Sequence, residues 1–251
     1  MQAKYAEHQV FQKPSNENAK IWRYMDFTKF VSLLERRALF FSRSDKLGDR
    51  FEGSYSKANI KLRPLVYKGK IPEQALRNMS RASEEFRRFV IINCWNLSDY
   101  ESAALWGLYI KSCEGVAVQS TFKRLTQCFS LEAKEPVFIG KVSYIDYKTD
   151  WLPEGNIFYP FLHKRKSFAH EQELRAIILK NPPSAGENLN LNQDVIDKGE
   201  YVDVNLDTLV ENIYVSPTAQ GWFLDLVASA MKKYNLKKEP VRSDLASDPV
   251  Y

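Results

Sequence analysis

Apolar positions first become regular at Ile21-Trp22-Arg23-Tyr24, a short aromatic run that predicts a strand. From there Phe27, Phe30, Val31, Leu34 and Ala38 recur at helical spacing, with Lys29, Glu35 and Arg36 on the other side. That spacing predicts an amphipathic helix over 27–37. Leu39-Phe40-Phe41-Ser42 follows at once as a second strand, and a polar turn through Asp45, Gly48 and Asp49 ends it. Residues 1–20 are polar and predict an arm outside the folded part.

Further on, Phe89 to Trp95 is a β-branched apolar run of the kind found in buried strands. Ser98 and Glu101 have capping-box spacing ahead of a helix over 103–110. Gly115 to Thr121, Val137 to Tyr147, Leu174 to Leu179 and Asn212 to Val215 predict strands. Asn181 to Asn192 predicts a surface loop, Tyr201 to Val204 an extended piece, and Trp222 to Tyr234 a last helix. No internal repeat is present. The pattern predicts one α+β domain over 21–251, mixed strands with helices between them.

Composition narrows the class. With 251 residues, 44% hydrophobic and 13% aromatic, the chain can bury roughly 70–75% of its unfolded surface, which excludes global disorder. No stretch approaches the ~20 consecutive apolar residues of a membrane helix. Met1 to Pro14 lacks the apolar core of a signal peptide, so the expectation is a cytoplasmic protein with no membrane partner. Cys94, Cys113 and Cys128 are odd in number and lack paired C-x-x-C spacing. That argues against a disulfide framework or a cysteine zinc site.

The net charge is +5, and the segment 61–88 carries all of it, with eight basic residues against three acids. Read as a basic helical insertion, it could steer a nucleic acid or another anionic partner. Its mixed signs and few aromatics also suit a solvated amphipathic helix.

Candidate chemistry lies elsewhere. In Glu171-Gln172-Glu173-Leu174-Arg175, a strand beginning near Glu171 puts Glu171, Glu173 and Arg175 on one face. Two carboxylates beside a guanidinium could stabilise positive charge at a sugar carbon, hold a ribose hydroxyl or act as a general base. A strand face salted for solubility has the same spacing. Arg23, between Trp22 and Tyr24, suits bidentate phosphate binding with a ring available to stack on a base; an ordinary surface Arg between core aromatics looks the same. Ser42 and Ser44 could bond a ligand, and Asp49 and Glu52 either join them or cap a turn. Ser102, Trp106 and Tyr109 share a helix face that either lines a pocket or packs in the core. His8, His163 and His170 lack metal spacing, no P-loop or Rossmann glycine motif occurs, and no metal is predicted.

Taken in order, Trp22-Arg23-Tyr24, Leu39-Phe40-Phe41-Ser42, Asp49-x-Phe51-Glu52-Gly53, Cys94-Trp95, Ser102-x-x-x-Trp106-x-x-Tyr109, Gly115-Val116-Ala117-Val118, Lys166-x-x-x-His170-Glu171-x-Glu173-x-Arg175 and Pro249-x-Tyr251 resemble the bacterial domain of unknown function 2971 family. Arg50 departs from that family's usual Pro. More distantly, the opening strand, helix and strand together with Glu171-x-Glu173 are similar to NAD-dependent ADP-ribosyltransferases. The resemblance implies NAD as co-substrate and a role as toxin or defence effector. It implies Arg23 at the NAD phosphate or ribose and Ser42 and Ser44 at the second-strand site, to which the residue pattern adds Tyr24, Trp106 and Tyr109 as cofactor-binding candidates. Glu173 would then act on the nicotinamide ribose and Glu171 on the acceptor. A non-catalytic nucleotide or nucleic-acid binding module, and a Mg²⁺ nuclease using Asp49, Glu52 and Glu173, are the alternatives.

Overall fold

A computed structural model describes residues 1–185 and 188–250. Tyr251, the last residue of the family-like series, lies outside them, as do residues 186 and 187 of the expected 181–192 loop. The chain opens with β1 (Ala3–Tyr5), β2 (Lys20–Asp26), α1 (Phe27–Arg36) and β3 (Ala38–Arg43). Asp26 ends β2 and caps α1, its carboxylate accepting from the Lys29 amide, and Arg37 closes the helix in the left-handed conformation at φ 48°. Next come α2 (Lys57–Val66), α3 (Glu73–Phe86), β4 (Val90–Leu97), α4 (Ala103–Tyr109), β5 (Gly115–Thr121), α5 (Phe122–Gln127) and β6 (Glu135–Lys141). The remainder comprises β7 (Ser143–Ile145), β8 (His163–Arg165), β9 (Glu173–Leu179), the hairpin of β10 (Ser184–Ala185) and β11 (Asn188–Leu189), β12 (Gly199–Asp203), α6 (Leu206–Leu209), β13 (Asn212–Val215), α7 (Gly221–Lys233) and β14 (Pro240–Arg242).

The fold is α+β. Ten strands form one mixed sheet in the order β1-β6-β9-β4-β2-β5-β13-β14, with β3 paired to β4 and β12 to β3. Most pairs are antiparallel; β1 with β6 and β13 with β14 are parallel. The largest core lies on one face, where Ile91, Trp95, Leu174, Ala176 and Ile178 of the central strands meet Phe30 and Leu34 of α1 and Phe223, Val227 and Met231 of α7. Two smaller clusters cover parts of the other face. Val90, Ile92 and Ile177 pack with Phe158 and Phe161, and Trp22 and Tyr24 pack with Leu105 and Trp106.

The first twenty residues are not a free arm. Ala3 is fully buried in β1, the terminal ammonium donates to the Tyr201 carbonyl at 2.8 Å, and Phe11 is buried beside Phe158. Gly140 permits this contact, because a Cβ there would lie 2.9 Å from Phe11 Cα. Single apolar residues in a polar stretch carry the docking, and no periodicity announces them.

The basic segment is a helix pair, α2 and α3. It is tied to the 147–154 stretch through buried Arg63, whose Nε donates to Glu154 Oε1 at 2.8 Å, and buried Asn59, which donates to the same carboxylate at 2.7 Å. One of its eight cations is therefore internal. Ser98 does not cap the following helix. Ser102 does, accepting from the Leu105 amide, while Glu101 accepts from Trp106 Nε1, Ser243 Oγ and the Asp244 amide. Those three donors hold the carboxylate away from the helix start that a capping box would give it. Among the described residues no helix is long and apolar enough to cross a membrane.

Candidate active site

One edge of β4 is shared by two partners. Its start pairs with β3 at Ile91 and Ile92, and its end pairs with β2 at Asn96 and Leu97. Beyond Trp22, β2 leaves β4 and follows β5 as far as Asp26. Asn93, Cys94 and Trp95 therefore pair with neither strand on that edge, and a fork opens between β2 and β3. Backbone groups in such a gap need side-chain partners. Arg23 Nη1 donates to the Cys94 carbonyl at 2.6 Å, and Asn93 Nδ2 donates across to the Phe40 carbonyl at 2.9 Å. The fork forms a cleft of about 870 Å³ lined by residues of β2, β3, β4, α4, the 47–52 turn and the start of β9.

The carboxylate wall is built on β9. Glu173 faces Asn96, and Arg175 faces Cys94, across the β4 ladder, which puts all four on the cleft side of the sheet. Gln172 is left-handed at φ 39°, so the strand begins at Glu173 instead of Glu171, which ends the short 3-10 segment Lys166–Glu171. Glu171 nevertheless reaches the same cation as Glu173. Lys164 Nζ, arriving on β8, lies 2.5 Å from Glu171 Oε2 and 2.6 Å from Glu173 Oε1, with Glu52 Oε1 at 3.5 Å. Arg175 donates through Nε to Glu173 Oε2 at 2.6 Å, and through Nη1 and Nη2 to both Glu52 oxygens at 2.8 Å.

All five side chains are buried, so this face is an internal ion network and not surface charge. Three carboxylates share two cations, and the shortfall falls on one of them. Burial, and then the neighbouring Glu173, push the Glu171 carboxyl up to about 7. Burial pushes Glu173 the same way, but Arg175, Glu171 and Lys164 together overcome it and hold Glu173 below the usual carboxylate range. Glu173 is clamped at both oxygens. Glu171 is held by Lys164 at Oε2, shares a hydrogen bond with the neighbouring Glu173 carboxylate, and lines the cleft as a carboxyl able to exchange a proton near neutral pH.

Of the expected ligand residues, Arg23, Tyr24, Ser42 and Tyr109 line this cleft together with Glu171 and Glu173. Burial lowers the pKa of Arg23, and no carboxylate pairs with it among the described residues. Tyr24 OH accepts from the Ser102 amide at 2.6 Å. Ser44 and Trp106 are not part of the lining. Ser44 is fully buried one residue past the end of β3, where its hydroxyl donates to the Arg87 carbonyl at 2.7 Å. Trp106 packs edge-on against Tyr24 at 5.1 Å and donates to Glu101, taking the core side of its helix. Asp49 is paired with Arg165 at 2.8 Å and Glu52 with Arg175. The proposed Mg²⁺ ligands thus already have cationic partners. Among the described residues no group of three or more His, Cys, Asp or Glu side chains is arranged to hold a metal ion.

Sequence reasoning missed Lys164, Asn96 and the bidentate role of Glu52. Lys164 begins the run that leads into Glu171, and its alternation in β8 is too short to read. Asn96 follows an apolar run, where a polar residue signals a buried hydrogen-bonding duty. No family model, curated protein or solved structure matches the chain.

Proposed function

We propose that the chain is an NAD-consuming enzyme of the ADP-ribosyltransferase type, with the fork as its dinucleotide site. One observation carries the reading: Arg23, Tyr24, Ser42, Tyr109, Glu171 and Glu173, drawn from β2, β3, α4, the 3-10 segment before β9 and β9 itself, line a single cleft. Its volume of about 870 Å³ falls within the range of small-molecule and cofactor sites, about 300–1,000 Å³. A guanidinium without a carboxylate partner suits a pyrophosphate, and the Tyr24 and Tyr109 rings suit a planar base.

The chemistry follows from the unequal carboxylates. The C1′–N bond of the nicotinamide riboside breaks with its electron pair passing to the ring nitrogen, and nicotinamide leaves neutral. An oxygen nucleophile, water or an acceptor hydroxyl, forms the new bond to C1′ and gives its proton to Glu171. Glu173, held ionised and fixed at both oxygens, accepts from the ribose. The surplus of carboxylates over cations stabilises the positive charge that develops on the sugar. These roles give proton transfer to Glu171 at the acceptor and leave Glu173 at the ribose as the rigid electrostatic element.

The clamping of both Glu173 oxygens favours a second reading, a nucleotide-binding module without catalysis. Incubation of the purified protein with NAD, followed by chromatography, separates the two. Accumulation of free nicotinamide supports the enzyme; NAD that binds and is recovered intact supports the module and overturns the enzyme.

A further inference from the structure

Asn96 stands on β4 between Trp22 of β2 and Glu173 of β9, its cross-strand neighbours on either side. It is buried, with 6% of its surface exposed, and it lines the cleft. Its Nδ2 donates to the Glu171 backbone carbonyl at 2.8 Å. That bond fixes the amide's orientation, since a carbonyl can only accept, and Oδ1 must be the other atom. Oδ1 is buried and has no hydrogen-bond partner. The other buried unpartnered side-chain atoms among the described residues belong to Arg63, Arg87, Arg88 and Glu211, none of which lines the cleft. Folded proteins keep few such atoms, and one held rigidly at a ligand cleft calls for a donor supplied by the ligand.

We infer that Asn96 Oδ1 accepts the N–H of a primary carboxamide on the ligand, and so selects an amide-bearing base over its carboxylate analogue. The inference rests on the NAD reading and names the group that reading leaves open. Asn96 is bonded to the backbone of Glu171, so it borders the end of the cleft where the glycosidic bond breaks, and that end holds the base. A carboxylate in place of the amide would set acceptor against acceptor. It would also add a negative charge beside Glu52, Glu171 and Glu173, which already outnumber Lys164 and Arg175. Loss of one buried hydrogen bond of this kind corresponds to about tenfold to a hundredfold in affinity.

Calorimetric titration of the full chain with NAD, with nicotinic acid adenine dinucleotide, and with ADP-ribose, which lacks the base, tests this. Wild type should prefer NAD over the acid analogue by at least about tenfold. Asn96→Leu should lose that preference and keep the wild-type affinity for ADP-ribose, which also reports that it has folded. Asn96→Ser, shorter and still polar, serves if the leucine variant does not fold. Equal binding of both dinucleotides by wild type, a preference retained in the variants, or a matching fall in ADP-ribose affinity overturns the inference while leaving the NAD site standing. Failure of wild type to bind any of the three overturns the proposed function and this inference with it.

Discussion

Arg175 is the strut of the carboxylate wall, and replacing it with methionine tests the wall directly. The substitution keeps an unbranched apolar chain and removes four hydrogen bonds: one to Glu173, two to Glu52 and one to the Phe161 carbonyl. Glu52, Glu171 and Glu173 then face Lys164 alone. Removing one partner of a buried ion pair costs about 3–5 kcal/mol, because the charge left behind has lost both its partner and its water. In a chain of this length each kcal/mol lowers Tm by about 2–4 °C, so a fall of roughly 6–20 °C is expected. Urea unfolding should show a lower midpoint at unchanged slope. Arg175→Lys should fall between, since a single ammonium cannot hold Glu52 bidentately and reach Glu173 as well. The pair Glu52→Gln with Arg175→Met should cost less than the two single changes added together. A loss under about 1 kcal/mol for Arg175→Met would refute the claim that these charges are dry and mutually dependent.

Three further outcomes follow from the same geometry. Glu171 has a folded pKa of about 7 against an ordinary 4.5, so the unfolded chain releases this proton first; its contribution to stability is full below 4.5 and fades as pH rises through about 7. Urea unfolding of Glu171→Gln at pH 5 and pH 8 should show that part of the pH dependence gone. Arg23→Leu should weaken ADP-ribose binding about tenfold to a hundredfold, measured by calorimetry, because a charge-assisted contact to phosphate is lost. Trp106→Phe should lower stability by about 1–3 kcal/mol, having removed the indole donor from half-buried Glu101, while KM for NAD stays unchanged because Trp106 does not line the cleft.

The sequence made legible those elements whose signal is local. The helix after Asp26 and the strand at 212–215 were readable because side-chain period and burial agree there, and the strand at 115–121 because a short apolar run bounded by a turn signals a strand buried on both faces. The shared face of Glu171, Glu173 and Arg175 was readable from spacing, although the left-handed Gln172 moves the strand's start and a different physical route brings Glu171 to Lys164. The fork was not readable. It depends on β2 and β3 dividing one edge of β4, a matter of register between segments about fifty and about seventy-five residues apart. Burial of the carboxylates was not readable for the same reason, since Glu52 reaches Arg175 from a turn 123 residues away and Lys164 reaches them from β8, a three-residue strand. Ser44 and Trp106 were misplaced because a residue type and a helix face leave open which side of an element the core takes.

The most direct measurement is the rate of nicotinamide release from saturating NAD between pH 5.5 and 9, for wild type and Glu171→Gln. If Glu171 takes up the nucleophile's proton, the wild-type rate should climb about tenfold per pH unit at the acid end, bend near the carboxyl's pKa of about 7, and then stay level. Glu171→Gln should be slower by about a hundredfold or more at every pH and show no such bend. Release by Glu171→Gln at the wild-type rate with an unchanged profile would contradict the account.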